Sequence, residues 1–294
     1  MKKQTYVISS VSLLAIFALF LTWINYNNSA VMFDTPPSDQ VASVAATVTS
    51  PFYYSFNSAG TIYETSNINL STSPYWWIDS GAKMVISGNT GATVHNSLPA
   101  NDYWRVLYGK NNPLDTDSGY HPQNIFRLVS RNTWHNFDQQ MYYKIDADNL
   151  SASPNRSISN GLLLFNRYKD SQNLYYAGLR VDGTAVIKKK TNSVYYTLAQ
   201  TKIFPGTYNA STSPNLLPHN NWIGIKTEVT TTTSGTVLIK LYDDVGKTGN
   251  WKLLLQATDD GKSYGGAVIN GNYYVGVRTD FMDVSFENYQ ISSI

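Results

Sequence analysis

Residues 160–190 place the strongest constraint on the fold of this 294-residue chain. Two apolar and aromatic runs, 162–168 and 174–181, are separated by the polar residues 169–173. Asp182 and Gly183 then offer the pair of residues with positive φ that a tight hairpin demands. The segment therefore predicts three antiparallel strands joined by two turns.

The same pattern continues along the chain. Turn signals that contain Gly, Asn or Asp separate short runs, which are typical of strands. The predicted strands cover residues 52–56, 75–78, 83–86, 104–108, 125–130, 139–145, 162–168, 174–181, 185–190, 194–199, 222–230, 236–242, 251–257, 273–278 and 284–291. So many strands with short connections predict an all-β fold, a two-sheet antiparallel β-sandwich of the jelly-roll kind.

The N-terminal segment, residues 1–24, has the character of a membrane-targeting helix. Lys2 and Lys3 precede an uncharged run at 6–24, and its 19 residues would span about 28 Å as a helix, enough to cross a bilayer. Its length favours an uncleaved signal anchor, with a signal peptide cut near Ala30 as the alternative. Because the lysines precede the run, either form places the rest of the chain outside: at the extracellular face of the membrane, or secreted.

Residues 25–50 are small and polar, with prolines, and predict a flexible stalk. Residues 51–294 then form one sandwich domain. Charged residues make up 14% of the chain, well under the usual ~25%, and aromatic residues also make up 14%. This composition suits a sugar-binding surface. The net charge of +2 argues against nucleic acid as a partner, and the absence of cysteine excludes disulfides and thiolate metal sites.

Three segments carry a family resemblance: LYYAGLRVDGTAVIKKK at 174–190, WIGIK at 222–226 and YYVGVRTDFMDVSFENYQI at 273–291. They resemble the concanavalin A-like lectin/glucanase superfamily, in particular its laminin-G-like and family-16-like secreted domains. The resemblance covers about residues 51–294. It implies a sandwich whose concave sheet carries a sugar site, and it leaves open whether the sugar is bound or cleaved.

The candidates for catalysis are few. The Glu-x-Asp-x-x-Glu motif of the superfamily's glucanases is absent, and none of the three glutamates is followed by a carboxylate two or four residues later. A polysaccharide lyase would instead need a tyrosine or histidine base and groups that neutralise a uronate. His135, Tyr142 and Arg180 are the candidates, and they resemble part of the complement of sandwich-fold alginate lyases.

Sugar binding requires less than catalysis, because rings stack on sugar faces while amides and guanidinium groups bind hydroxyls or a carboxylate. The predicted ligand-binding residues are Gln140, Tyr142, Asn166, Tyr168, Tyr176, Arg180 and Lys188. The sequence thus predicts a membrane-anchored extracellular carbohydrate-recognition domain without catalysis, whose partner is a glycan. A lyase or hydrolase is the alternative, and a structural or adhesion protein of the cell envelope, with a protein partner, is the third hypothesis.

Two short acidic segments are the candidates for metal binding. Asp115 and Asp117 alternate before a glycine, as at the start of a calcium loop, and Asp280 lies near Asp283. Neither pair completes a ligand set. The sequence therefore predicts no cofactor, and structural Ca²⁺ is the one metal that these oxygens would suit.

Overall fold

The computed structural model describes residues 40–294. Within them, sixteen strands form two antiparallel sheets packed face to face, and one α-helix lies outside the sheets. The predicted all-β, two-sheet sandwich is confirmed. The predicted anchor or signal segment, residues 1–24, lies outside the described residues. Within residues 40–294 no helix has the length and apolar character needed to span a bilayer.

The elements follow one another along the chain as strands with two short 3-10 helices, at Ile68–Leu70 and Pro122–Asn124, and one α-helix. They are β1 Phe52–Tyr54, β2 Gly60–Tyr63, β3 Trp76–Ser80, β4 Lys83–Ser87, β5 Thr90–Ala92, α1 Tyr103–Asn111, β6 Ile125–Trp134, β7 Phe137–Asp148, β8 Gly161–Asp170, β9 Asn173–Arg180, β10 Thr184–Thr191, β11 Val194–Lys202, β12 Trp222–Thr231, β13 Val237–Val245, β14 Lys252–Asp259, β15 Tyr273–Asp280 and β16 Met282–Ser293.

One sheet has seven strands in the order β11-β10-β9-β8-β15-β6-β3. The other has nine, in the order β14-β13-β12-β7-β16-β5-β4-β2, with β1 also paired to β16. Because successive side chains on a strand point to opposite faces, Leu162 and Leu164 of β8 enter the core between the sheets while Leu163 and Phe165 form part of a second cluster outside it. Both faces of the seven-stranded sheet are therefore substantially apolar.

One predicted strand is wrong. Residues 104–108 belong to helix α1, which Asp102 caps by accepting a hydrogen bond from the Trp104 amide at 2.8 Å. Trp104 and Tyr108 lie four residues apart on one face of the helix and are buried together. An aromatic run with a spacing of four suits a helix as well as a strand, and the Asp cap decides between them. The short strands β2 and β5 are not among the predicted ones.

The turn between β9 and β10 differs in one detail from the prediction. Only Gly183 has positive φ, at 77°, and its amide donates to the Arg180 carbonyl at 2.8 Å. The Asp182 carboxylate instead accepts from the Thr184 amide at 3.0 Å. The turn therefore needs one left-handed residue, because it contains one residue more than a two-residue hairpin loop.

A bulge in β8 changes which side chains reach solvent. Arg167 has a φ of 49°, and the pairing of β8 with β9 shifts between Asn166 and Asp170. Asn166 and Arg167 are consequently buried, whereas Tyr168 joins Phe165 in the outer cluster, with ring centroids 5.1 Å apart.

The described part of the predicted stalk, residues 40–50, contains neither helix nor strand but contacts the domain. The Ser43 amide donates to the Ser71 carbonyl and the Ala46 amide to the Pro74 carbonyl, both at 2.9 Å. Arg131 of β6 donates to the carbonyls of Ser43 and Ser73, each at 2.7 Å. This segment is thus fastened beside β3, at the edge of the seven-stranded sheet. The boundary at residue 51 stays a prediction.

Candidate functional site

A cleft lies on the outer face of the seven-stranded sheet. It consists of two adjoining cavities of about 140 and 330 Å³. Both are lined by Arg127, Tyr176, Tyr195 and Arg278, so they form one depression, here called the cleft. Its combined size falls in the range of small-molecule sites.

The floor of the cleft follows from the pairing of the strands. Tyr176, Phe165 and Gly276 are neighbours across β9, β8 and β15. In the next row Leu163 neighbours Arg278, which neighbours Arg127 on β6. Two guanidinium groups therefore lie side by side next to an apolar and aromatic floor.

Two lysines add positive charge at the β10 side of the cleft. Arg127 pairs with Asp79 at 3.0 Å and Arg278 with Asp280 at 2.7 Å. Lys190 donates to the Ser171 carbonyl at 2.8 Å, and neither Lys188 nor Lys190 has a carboxylate partner within residues 40–294. The cleft consequently carries an excess of positive charge, and burial lowers the pKa of Lys188, as does nearby Arg180.

Three tyrosines lie among these cations. Tyr168 and Tyr176 are nearly buried, whereas Tyr195 is 45% exposed. The rings of Tyr176 and Tyr195 stand almost perpendicular, 6.0 Å apart, and the Lys190 ammonium lies 4.8 Å from the centre of the Tyr195 ring. Burial opposes ionisation of the Tyr195 phenol, but Arg278 and Lys190 outweigh that effect and lower its pKa. These two cations thus favour the ionised form of Tyr195, whereas burial raises the pKa of Tyr168 and of Tyr176.

One wall of the cleft is the loop between β7 and β8, which contributes Asn155, Ser157 and Asn160. The carboxylate of Asp115 accepts from Ser153 at 2.6 Å and from Asn155 at 2.9 Å. These hydrogen bonds fix the position of the wall.

Three of the predicted ligand-binding residues lie together in the cleft: Tyr168, Tyr176 and Lys188. Arg180 lies beside it, but its guanidinium is engaged, since Nε donates to the Ile158 carbonyl at 2.7 Å and Nη2 contacts Asp182 at 3.2 Å. Arg180 therefore holds the loop that forms the wall.

The other predicted residues lie outside the cleft. Asn166 is buried between the sheets, where it accepts hydrogen bonds from Gln139 at 2.8 Å and Thr227 at 2.7 Å, so the prediction that it faces a ligand is wrong. The bulge at Arg167 is the reason, because it breaks the alternation that would have placed Asn166 beside Tyr168.

Gln140 and Tyr142 lie on the outer face of the nine-stranded sheet, across the sandwich from the cleft. His135 lies at the turn between β6 and β7, where its Nε2 is 2.9 Å from Asn270 Oδ1. The predicted residues therefore occupy four separate places: the cleft, the interior between the sheets, the outer face of the nine-stranded sheet and the turn between β6 and β7. A single site that combines His135, Tyr142 and Arg180 does not form.

The residues that give the cleft most of its positive charge and its exposed ring are not among the predicted ligand-binding residues: Arg127, Arg278, Lys190 and Tyr195. The sequence indicates only Lys190, which belongs to the lysine run 188–190. Successive side chains of a strand point to opposite faces, so Lys190 lies on the same face as the predicted Lys188. The pairing of Arg127 with Arg278 depends on which strands are neighbours, and nothing local in either strand shows it.

The four acidic candidates for metal binding are engaged by protein donors. Asp117 accepts from Ser151 and His121, Asp283 accepts from Gln123, Asn149 and the Asn96 amide, and Asp280 pairs with Arg278. In the described part of the chain no three His, Cys, Asp or Glu residues form a group that could hold a metal. The donors therefore do not fit a calcium site as they stand, and structural Ca²⁺ stays a prediction.

No protein-family model matches the chain, and no curated protein matches it in sequence. Several solved structures are similar to it. One is the exoplasmic/lumenal domain of VIP36 with Ca²⁺ and Man3GlcNAc bound, which is 9% identical with a TM-score of 0.45 and aligns over 76% of this chain and 87% of that one. Another is a β-glucanase of Bacillus licheniformis, 12% identical with a TM-score of 0.41 over 84% of this chain and all of that one.

A third is the carbohydrate-binding module CBM66 of Bacillus subtilis, which is 14% identical with a TM-score of 0.38 over 58% of this chain and 83% of that one. The likeness concerns the sandwich architecture.

Proposed function

We propose that the cleft recognises an acidic polysaccharide, and that the protein is an extracellular carbohydrate-binding domain held at the membrane by residues 1–24. The observation that carries the proposal is the meeting of unpaired Lys188 and Lys190 with two arginines and three tyrosines in one depression. Uronic acids and sulfated sugars have both features that this surface would bind, a sugar ring and an anionic group. Their rings stack on tyrosine, and their anions pair with guanidinium or ammonium groups.

The charge distribution supports an anionic ligand over a neutral one. Removing Lys188 and Lys190 from water without a counter-ion would cost free energy, and a ligand carboxylate or sulfate would remove that cost. The arginines keep their Asp partners, so they orient the ligand without needing it for neutrality.

The test is a binding measurement by calorimetry on the full-length protein, with polyuronates, sulfated glycans and neutral polysaccharides. The Lys188→Ala/Lys190→Ala variant should bind acidic glycans at least about tenfold more weakly, because two charged contacts are lost. Lys252→Ala/Lys262→Ala is the matched control, since it removes the same charge from exposed positions outside the cleft. Equal affinity in both variants would exclude the cleft as the site.

One observation favours a second candidate, a polysaccharide lyase. Tyr195 is partly exposed, lies between Lys190 and Arg278 and has a lowered pKa, as a base for removing the proton next to a uronate carboxylate would need. Elimination would break the adjoining glycosidic C–O bond and leave an unsaturated sugar end. Ultraviolet absorbance of that end, followed in the calorimetry samples, separates the two candidates. Tyr195→Phe should abolish the product of a lyase and leave binding within about threefold.

A further inference from the structure

A second cavity, of about 310 Å³, lies on the outer face of the nine-stranded sheet, away from the cleft. Its lining includes Tyr53, Ser55, Gln140, Tyr142, Asn288 and Gln290. The volume is at the lower end of the range for small-molecule sites, which suits one or two sugar rings.

The cavity is built by strand pairing and by a bulge. Tyr53, Gln290 and Gln140 are direct neighbours across β1, β16 and β7, so they form one row on the outer face. In the next row Glu287 neighbours Tyr142, and β16 has a bulge between the two rows. Asn288, with a φ of 50°, stands at this bulge, while Tyr289 turns into the core. The bulge therefore separates the rows and leaves the cavity between them.

Three side-chain amides around the cavity are free to bind a ligand. Within residues 40–294 the side-chain amides of Gln140, Asn288 and Gln290 make no hydrogen bond to protein, and no charged side chain lines the cavity. Each planar amide offers both a donor and an acceptor, which is what recognition of sugar hydroxyls requires. This chemistry differs from that of the cleft, where the polar groups are mainly cations.

Two tyrosine rings flank the amides: the ring of Tyr53 is exposed, and the ring of Tyr142 is held in place. Tyr53 is 63% exposed and offers a face for stacking. The Tyr142 hydroxyl donates to Asp244 at 2.7 Å, and Trp251 packs on the ring with centroids 5.5 Å apart. Because Tyr142 is held in place, that side of the cavity is ordered before a ligand arrives, which lowers the entropic cost of binding.

We propose that this cavity is a second carbohydrate site, specific for uncharged sugars. Gln140, Asn288 and Gln290 bind the hydroxyls and Tyr53 stacks on the ring. The site is independent of the cleft, since it lies on the other sheet and shares no lining residue with it.

The experiment is saturation-transfer NMR and calorimetry on the full-length protein with neutral gluco-, manno-, xylo- and galacto-oligosaccharides. Binding of at least one should weaken about tenfold or more in Gln140→Ala/Gln290→Ala, because two hydrogen-bonding side chains are removed. Tyr53→Ala should weaken it as well. Gln200→Ala/Gln256→Ala is the matched control, as both glutamines are exposed on strands outside the cavity. Thermal melts confirm that each variant is folded.

The result with the cleft variant makes the two proposals separable. Lys188→Ala/Lys190→Ala should keep its affinity for the neutral sugar, and Gln140→Ala/Gln290→Ala should keep its affinity for the acidic glycan. The proposed cavity site is overturned if no neutral oligosaccharide binds the unaltered protein at millimolar concentration. It is also overturned if the lysine variant, rather than the glutamine variant, loses neutral-sugar binding.

Discussion

Lys189 Nζ lies 2.8 Å from Asp259 Oδ2, and both side chains are fully buried. The ammonium also donates to the carbonyls of Gly266 and Ala267, each at 2.8 Å, and the Tyr175 hydroxyl donates to the same carboxylate oxygen at 2.6 Å. The middle lysine of the 188–190 run thus points into the protein, while its neighbours face the cleft. The ion pair ties β10 to the end of β14, and the two carbonyl contacts tie it to the loop between β14 and β15.

Lys189→Met should lower the free energy of unfolding by about 3–5 kcal/mol, because it leaves the Asp259 charge buried without its partner. Lys189→Met/Asp259→Asn should recover part of that loss, since the uncompensated charge is gone. Urea unfolding followed by tryptophan fluorescence measures both. Lys190→Met, at the neighbouring outward position, is the control and should change stability by less than about 1 kcal/mol. Equal losses at positions 189 and 190 would contradict the burial of this pair.

Arg167 should not tolerate replacement by lysine. Its guanidinium donates to the carbonyls of His135 and Ile269, to Asn136 and to Thr231, and burial lowers its pKa to about 10. A lysine cannot reproduce this planar set of donors, so buried acceptors would lose their partners. We expect Arg167→Lys to cost about 2–4 kcal/mol of unfolding free energy. Urea unfolding measures the change. A free energy of unfolding within about 0.5 kcal/mol of that of the unaltered protein would show that the hydrogen bonds of the guanidinium do not stabilise the fold.

His219 should make stability depend on pH. Its Nε2 lies 2.9 Å from Asp148 Oδ2, and this hydrogen bond raises the pKa of the imidazole. A raised pKa in the folded state means that the stabilisation is complete below about pH 6.5, the unfolded value, and is lost as the pH rises through the folded value. Because the pair is partly exposed, the effect is at most about 1 kcal/mol. His219→Asn should therefore lower the melting temperature more at about pH 5.5 than at about pH 8.5. The reverse order would contradict the ion pair.

Salt should distinguish the two proposed binding surfaces. Exposed charge pairs are screened over about 8 Å at physiological ionic strength, so affinity for an acidic glycan in the cleft should fall severalfold between about 50 and 300 mM NaCl. The Lys188→Ala/Lys190→Ala variant should show a flatter dependence. A neutral sugar in the cavity on the other sheet should bind equally at both salt concentrations. Calorimetric titrations at the two salt concentrations provide the measurement. An affinity for the neutral sugar that changes with salt would contradict an uncharged site.

All strands except β2 and β5 could be predicted from the sequence because they have local signals: apolar runs, alternation and turn residues. Helix α1 could not, since the Trp104 and Tyr108 pair fits either period and depends on the Asp102 cap. For the site, Tyr176 and Lys188 could be found because they are paired neighbours on strands that follow one another in the chain. Tyr168 lies in the cleft only because the bulge at Arg167 breaks the alternation of β8. Arg127 and Arg278 could not, because 151 positions separate the two residues and only the sheet order makes their strands, β6 and β15, neighbours.

Bulges account for the main error in the site. Arg167 has a positive φ, and this one residue reverses the face to which the following side chains of β8 point. The local sequence Asn-Arg-Tyr at 166–168 does not predict this bulge. The same kind of feature at Asn288 creates the cavity beside Gln140. Local alternation thus combined side chains from faces that the folded chain keeps apart.

The attachment of residues 43–46 beside β3 has a mechanical consequence. A pull on the chain from the N-terminal side would first load the Ser43 and Ala46 hydrogen bonds and the Arg131 contacts, before any force reached β1. These bonds sit at the margin of the sheet that bears the cleft. In a chain held at the membrane as proposed, tension would therefore be absorbed at the rim of the domain, and the face that bears the cleft would stay intact while the chain before residue 43 was under load.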